Sequence, residues 1–355
     1  MSAENTPAMS SGAEPRPDDR LAIDAARLEQ FMHAHVAGFE GALRIERFAG
    51  GQSNPTYKLI AANGSYVLRR KPLGKLLPSA HAVDREYRVM TALSHTAFPV
   101  PRTYVLCMDE GVIGTPFYIM DYVDGRVFWD QSLPGMTRSD RAAIYDEMNR
   151  VIAALHTIDY AAIGLSDYGR PGNYFARQID RWTRQYRSSE SDRILAMDEL
   201  IGWLPHNIPA GDETGIVHGD YRLDNLLFHP TEPRVLAVID WELSTLGHPL
   251  ADFAYNCMSW LIRPDVFRGL AGLDLPRLGI PSEADYVRAY CARTGRVAIA
   301  HWNFYIAFNL FRLAAILQGI MARGREGTAA SADAIGVGRA ARPLAELGRS
   351  RIEAS

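Results

Sequence analysis

The spacing of apolar residues changes once along this chain, and that change limits its fold more than any other feature. From about residue 43 to residue 123, apolar and polar residues alternate in short runs broken by Gly and Asn. This is the two-residue period of half-buried strands. Beyond Gly125 the apolar residues recur every three to four positions over long stretches, which is helical spacing. Such a chain predicts an α+β protein with a small antiparallel β lobe followed by a larger, mainly helical lobe. We place the boundaries at 1–20 (a small, polar, Pro-containing tail expected to be disordered), 21–120 for the β-rich lobe, 121–125 for a hinge, and 126–355 for the helical lobe. No repeat of fixed period is present.

Within that outline, Leu21–Ala37 predicts a helix, and "LRIERFAGGQSNPTYKLIAANGSYVLRRKP" predicts two or three strands with Asn63-Gly64 as a tight hairpin. A helix is expected over 80–95. Strands are expected in "TYVLCMDE" and "PFYIMDYV", with a Gly-containing turn at 111–114 between them. "SDRAAIYDEMNRVIAALHTI" predicts an amphipathic helix opened by its Ser-Asp pair. Further helices are expected near 175–187 and 192–204. Two β-like runs, "GIVHGD" and "VLAVIDW", then flank the segment "HGDYRLDNLL".

At 355 residues, 47 % apolar and 22 % charged, the chain can bury a sizeable core and is not disordered as a whole. Its net charge of −3 sets up no field that favours nucleic acid. Cys107, Cys257 and Cys291 are odd in number and widely spaced, so neither a disulfide framework nor a metal-ligand pattern is expected. The N-terminal residues lack the apolar stretch of a signal peptide. Uninterrupted apolar runs stay below the roughly 18 residues that span a bilayer; "NFYIAFNLFRLAAILQGIM" is broken by Asn309 and Arg312 and predicts a buried helix. A cytoplasmic protein is expected.

The chemistry is concentrated around "HGDYRLDNLL", residues 218–227. Asp220 follows a strand and offers a carboxylate base to a hydroxyl. Asn225, five residues on, offers a neutral oxygen, and Asp240 at the end of the next strand offers a charged one. Mg²⁺ takes such hard oxygens and retains waters. Phosphoryl transfer needs this set together with cations or N–H groups around the phosphates. The Asp-x-x-x-x-Asn spacing equals that of the protein-kinase catalytic loop. Single carboxylates and amides in loops are ordinarily turn formers, so the order of further parts matters.

Those parts lie in the first lobe. "FAGGQSNPTYKL" supplies a Gly-containing loop whose Gly50, Gly51, Gln52, Ser53 and Asn54 are suited to cover phosphates. Arg69 in "YVLRR" stands where a kinase carries its phosphate-binding Lys, and Glu86 on the following helix can pair with it. "YIMDYVDG" runs into a Gly, and its backbone at Asp121 and Val123 could hold adenine. No Walker A sequence is present.

With these residues in place, "HGDYRLDNLLFHP…VLAVIDWELSTLGHPLADFAY" resembles the catalytic segment of the aminoglycoside phosphotransferase family. The likeness extends from about Phe48 to Tyr255. It is closest to the subgroup represented by the kinase-like domain fused to some acyl-CoA dehydrogenases, where "GGQSNPTY", "YVLRRKPLGKLLPSAHAVDREY" and "DWELSTLGHPLAD" have close counterparts. The resemblance implies a bilobal protein-kinase-like fold, ATP with Mg²⁺, and transfer to a hydroxyl of a small molecule. It implies Asp220 as the catalytic carboxylate, Asn225 and Asp240 as metal ligands, and Arg69 with Glu86 as the ion pair of the small lobe. Antibiotic-modifying members carry Lys at the position of Arg69; Arg keeps the charge but holds phosphate as a planar fork. Asp252 resembles the buried carboxylate that braces the catalytic loop, though a helix N-terminal Asp is an equal physical reading. The subgroup implies a hydroxyacyl-CoA acceptor of the 4-hydroxyacyl type.

Charge offers one test of the acceptor. Residues 256–355 hold thirteen Arg, no Lys and eight acidic residues, a net of +5, so the preceding 255 residues carry −8. Such a stretch suits an anionic CoA thioester better than a polycationic antibiotic, unless its arginines are scattered on solvated faces. Arg177, Arg181 and Arg184 fall at helical spacing on one face and could hold a phosphate-bearing tail, with Lys71 and Lys75 as further candidates. Trp241 and Glu242, directly after Asp240, are expected to line the cleft, although Trp241 could be core. A regulatory pseudokinase is disfavoured because base and metal ligands are all present. A protein kinase is disfavoured because only eleven residues separate Asp240 from Asp252, leaving little room for a peptide-docking segment.

Overall fold

A computed structural model describes residues 23–48, 54–73, 81–327 and 333–354. The first lobe opens with α1 (Ala25–His35), whose N-cap Asp24 accepts from the Arg27 N–H at 3.1 Å. Five strands follow: β1 (Arg44–Arg47), β2 (Thr56–Ala61), β3 (Gly64–Arg70), β4 (Thr103–Cys107) and β5 (Phe117–Asp121), with α2 (Val83–Leu93) inserted after β3. They form one antiparallel sheet in the order β1-β2-β3-β5-β4. The β2–β3 turn is shifted one residue from the expected one. Ala61 pairs with Gly64, so Ala62 and Asn63 make the loop, and the Asn63 side chain is drawn off to accept from the Glu40 N–H. The predicted turn at 111–114 is instead a short helix, α3 (Glu110–Ile113).

The two faces of the sheet show the two-residue period at work. Tyr66, Leu68, Phe117 and Ile119 pack with Leu28 and Met32 of α1. Val67, Tyr118 and Met120 point the other way, join Val83, Val89, Met90 and Leu93 of α2, and continue into the core of the second lobe. Arg85 of α2 donates to Tyr168 O at 2.7 Å, which also ties that helix to the second lobe.

The second lobe contains α4 (Arg138–Thr157), α5 (Tyr174–Ser189) and α6 (Leu195–Trp203), then β6 (Gly215–Val217), β7 (Leu226–Phe228), β8 (Val235–Val238) and β9 (Thr245–Gly247). It ends with α7 (Pro249–Cys257), α8 (Pro264–Phe267), α9 (Leu275–Leu278), α10 (Glu283–Thr294), α11 (Trp302–Arg325), α12 (Ala334–Gly338) and α13 (Ala341–Glu353). The cap of α4 is Thr137, earlier than the Ser-Asp pair expected from sequence; Asp140 completes a capping box with it. β6 pairs with β9 and β7 with β8, so two small ribbons hold the loops at 218–225 and 239–244. Helix α11 is long and apolar enough to cross a membrane by length and composition, because a single Arg does not break it. Yet 89 % of its most apolar window is buried inside the protein. It is the central helix of this lobe, packed against α5, α7, α12 and α13.

Gly125, between β5 and the second lobe, is a close-approach glycine. A Cβ there would stand 2.7 Å from Phe228 O, and the next residue, Arg126, exchanges backbone hydrogen bonds with Phe228 of β7. The connecting segment is thereby pressed against the ribbon that carries the candidate catalytic loop.

Candidate active site

The loop after β6 turns sharply because Gly219 adopts φ 84°. A Cβ on it would lie 2.7 Å from Leu243 O, so only glycine lets the loops at 218–225 and 239–244 touch. Asp252, in the first turn of α7 and buried, accepts from the N–H groups of His218 (2.7 Å) and Gly219 (2.9 Å), with His156 Nε2 at 3.3 Å. Burial alone would raise its pKa, but these partners hold it below the ordinary aspartate value. Both expectations for Asp252 are met at once: it is a helix N-terminal carboxylate and it braces the loop. His218 accepts from the Asp220 N–H on Nδ1 (3.2 Å) and therefore donates from Nε2 to Ile239 O (2.9 Å). One imidazole thus joins the Asp220 amide to the carbonyl of the residue before Asp240 on the other loop.

Asp220 is partly exposed, at 18 % of its side chain. Its Oδ1 accepts from the Tyr255 hydroxyl at 2.5 Å and lies 3.0 Å from Arg222 Nε. Its Oδ2 accepts from Asn225 Nδ2 at 3.1 Å. The same Nδ2 donates to Asp220 O at 2.8 Å; among the described residues the Asn225 side-chain carbonyl oxygen accepts no hydrogen bond and can bind something else. Arg222 also approaches the buried Asp224 at 3.3 Å, and Arg268 pairs with that carboxylate.

Across the cleft, Asp240 follows β8 in the left-handed region, at φ 67° and ψ 59°, an uncommon conformation for a residue with a side chain. It starts a one-turn helix that sends three successive side chains in three directions. Trp241 turns inward, 1 % exposed, and donates to Val238 O at 2.9 Å. It packs edge-on against Phe98 and beside His218. Trp241 is therefore a core residue, and the expectation that it lines the cleft is corrected. Glu242 does face the cleft, 3.5 Å from Arg69. Leu243 is left 42 % exposed.

Arg69 is enclosed by carboxylates: Nε lies 2.9 Å from Glu86, and Nη2 lies 2.7 Å from Asp240 and 3.5 Å from Glu242. Burial would lower the Arg69 pKa, but Glu86 and the other acids hold it above its ordinary value. At an effective dielectric near 20 each close pair contributes about 4 kcal/mol, set against the several kcal/mol that burying each ion costs. Glu86 is itself buried, which pushes its pKa up, while Arg69 opposes the rise. Glu86 accepts from Asn54 Nδ2 (2.6 Å) and the Tyr118 hydroxyl (3.1 Å). Asn54 is thus a buried support for Glu86, with His81 Nδ1 at 2.9 Å from its side-chain oxygen.

Gly50, Gly51, Gln52, Ser53 and Lys75 lie outside the described residues. The Asp121 N–H donates to Arg102 O at 2.8 Å, so it is committed to the sheet; among the described residues the Val123 N–H has no partner. Arg177, Arg181 and Arg184 do fall on one helix, but two are already engaged. Arg177 donates to the carbonyls of Gly172 and Arg170, and Arg184 pairs with Asp180. Arg181 remains exposed beside the Trp182 ring, at 5.2 Å. Five of the C-terminal arginines are likewise engaged. Arg268, Arg293, Arg296, Arg325 and Arg349 reach back to Asp224, Asp146, Glu213, Asp192 and Glu199 of the acidic part of the chain.

Sequence reading missed Arg222, Tyr255, His218 and Arg312 as parts of the site. Arg222 had a signal, since it stands two residues after the candidate base. Tyr255 and Arg312 had none, because each reads as one more member of a helix.

Two loops presenting Asp220, Asn225 and Asp240 against an Arg of a five-stranded sheet, itself paired with a Glu of the adjoining helix, define a phosphotransferase of kinase-like architecture. A sequence model of the phosphotransferase enzyme family (APH) matches residues 44–299. Acyl-CoA dehydrogenase family member 10 of Mus musculus is 46 % identical over 330 residues, covering 92 % of this chain and 31 % of that protein. The chain thus spans less than a third of that relative's length. A crystal structure from Ralstonia eutropha, assigned provisionally to the aminoglycoside phosphotransferases, is 60 % identical with TM-score 0.87, covering 94 % of this chain and 99 % of its own. A thermostable aminoglycoside phosphotransferase solved with ADP and hygromycin B shares the fold at 16 % identity and TM-score 0.58, over 90 % of this chain and 98 % of its own. The chain belongs to the phosphotransferase enzyme family.

Proposed function

We propose that this chain is an ATP- and Mg²⁺-dependent kinase that phosphorylates a hydroxyl of a hydroxyacyl-CoA, of the 4-hydroxyacyl type, in the cytoplasm. The observation that carries the kinase reading is the opposition of Asp220, with one oxygen only partly engaged, to Arg69 and Asp240 across the cleft. The acceptor oxygen attacks the γ-phosphorus and forms the new O–P bond. The bond from that phosphorus to its bridging oxygen breaks, ADP leaves, and the hydroxyl proton passes to Asp220. Residues 121–125 serve as the hinge, with the Val123 N–H and the Asp121 carbonyl toward the adenine. Gly50, Gly51, Gln52, Ser53 and Asn54 form the phosphate loop and its support.

The residues present fit Mg²⁺. Asp240, 2.7 Å from Arg69, keeps a third of its side chain exposed to the cleft. Its carboxylate and the Asn225 carbonyl oxygen would hold the ion, which retains waters and takes few protein oxygens. Bound there, Mg²⁺ would neutralise phosphate charge.

The CoA thioester is supported by the name of the mouse relative, an acyl-CoA dehydrogenase family member that contains a segment like this chain. Arg181 beside Trp182 is the candidate contact for its phosphate-bearing part. An ADP-release assay with Mg-ATP, run on 3-, 4- and 5-hydroxyacyl-CoAs, their free acids and kanamycin, tests the reading. Turnover of a 4-hydroxyacyl-CoA and not of its free acid is expected. Turnover of kanamycin or of free acids alone would remove the CoA substrate, and ATP binding without turnover of any acceptor would make the chain a regulatory pseudokinase.

A further inference from the structure

We infer that Tyr255 is a positioning residue for the reaction and that it determines which oxygen of Asp220 acts as the base. The inference rests on the proposed role of Asp220. A carboxylate offers about four lone-pair sites, two on each oxygen. At Asp220, Oδ1 accepts from the Tyr255 hydroxyl at 2.5 Å and is crowded by the Arg222 guanidinium, whose Nε lies 3.0 Å away in an ion pair without a hydrogen bond. Among the described residues Oδ2 accepts from Asn225 Nδ2, at 3.1 Å. Oδ2 is therefore the oxygen with no cation against it, beside the residue proposed to hold Mg²⁺ at the phosphates, and the acceptor hydroxyl is received there.

Tyr255 is built for this task. It is 7 % exposed and lies three residues after Asp252 on α7, so both side chains leave the same face of that helix. Asp252 holds the loop by its N–H groups, and Tyr255 holds it by the catalytic side chain. A third hold comes from α11. Arg312 is 7 % exposed and donates to Gly219 O at 2.7 Å. Its guanidinium stands 5.2 Å from the Tyr255 ring and 5.7 Å from the Trp182 ring. Two helices far apart in sequence therefore fix the amides, the carbonyl and the carboxylate of one short loop. A tyrosine needed only for packing would not require a hydroxyl here.

The test is Tyr255→Phe, which keeps the ring and removes the donor, assayed with the acceptor the wild-type protein turns over best, water included. kcat should fall by about 10- to 100-fold, the worth of one hydrogen bond to a charged group, while KM for ATP and for the acceptor stays within about twofold. Placing 4-aminophenylalanine at position 255 returns a donor and should restore most of the loss. Unchanged kcat in Tyr255→Phe overturns the inference. So does a loss that the amine fails to restore and that is matched by weaker ATP binding and a lower melting temperature. A structure with a non-hydrolysable ATP analogue and acceptor should place the hydroxyl on Oδ2, and finding it on Oδ1 would overturn the oxygen assignment. If the wild-type protein turns over no hydroxyacyl-CoA, the substrate proposal fails separately, and Tyr255 is still judged on the acceptor used.

Discussion

The two sides of the cleft are electrostatic inverses. On one side Arg69 of the small lobe is enclosed by Glu86, Asp240 and Glu242. On the large-lobe side a single reactive anion, Asp220, is enclosed by Tyr255, Arg222 and Asn225. The first set gathers three carboxylates about one guanidinium, the setting proposed for a nucleotide with its metal. The second is close to balanced, since Arg222 and Arg268 offset Asp220 and Asp224, and it suits a neutral hydroxyl. On the proposed reading the site divides its work by charge: one half would accept an ion, the other would hold a base still.

The contrast can be broken most severely at the base. Asp220→Asn keeps the shape and removes the proton acceptor, so kcat should fall by about 10²- to 10⁴-fold with ATP affinity unchanged by calorimetry. Near-normal transfer by that variant would move the base elsewhere.

Next in size is the brace beneath it. Asp252→Asn leaves His156 and two loop N–H groups with a poorer acceptor, and unfolding free energy should drop by about 3 kcal/mol. The sign with pH follows from its depressed folded-state pKa. The stability from Asp252 is present above the ordinary aspartate value of about 3.9 and is lost as pH falls through the lower folded value. Denaturant titrations from pH 6 to 3 should therefore show a flatter acid limb in Asp252→Asn; an identical slope would mean that Asp252 carries no such linkage.

Arg69→Lys sharpens the other half. A compact ammonium cannot meet three carboxylates as a planar fork does, so KM for ATP should rise by about tenfold with kcat changed less. Equal kinetics would show that only the charge at position 69 counts.

The smallest effect is expected at the rim. Arg184 is paired with Asp180 on an exposed helix face, and such pairs contribute about 0.3–0.5 kcal/mol. Arg184→Ala should leave acceptor KM within about twofold, whereas a large rise would return Arg184 to the substrate site.

The parts legible in the sequence were those encoded by local period and spacing. Alternation in "YVLRR" and "FYIMD" placed β3 and β5, and the interval from Asp220 to Asn225 placed both on one loop, because neighbours along a chain stay neighbours in space. Glu86 was found because a helix after a strand brings its side chain back over that strand. Local pattern was a poor guide wherever an alternative partner competed. The β2–β3 turn moved by one residue when the Asn63 side chain found Glu40 N–H. The arginine stripe of α5 had the right spacing but bonded to its own helix and loop. Trp241 went to the core because its neighbour Asp240, in a left-handed conformation, turned the chain inward.

By itself the sequence determined the lobes, their order and the ionisable groups of the loops at 218–225 and 239–244, since all of these depend on residue type and short-range spacing. Tertiary structure alone decided which of those groups are neutralised and which oxygen of Asp220 is left partly open. That decision depends on Tyr255 and Arg312, 35 and 92 residues beyond Asp220, brought beside the loop by the packing of α7 against α11. A hydrogen bond is formed within about 3 Å, and no local pattern specifies which distant side chains fall inside that distance.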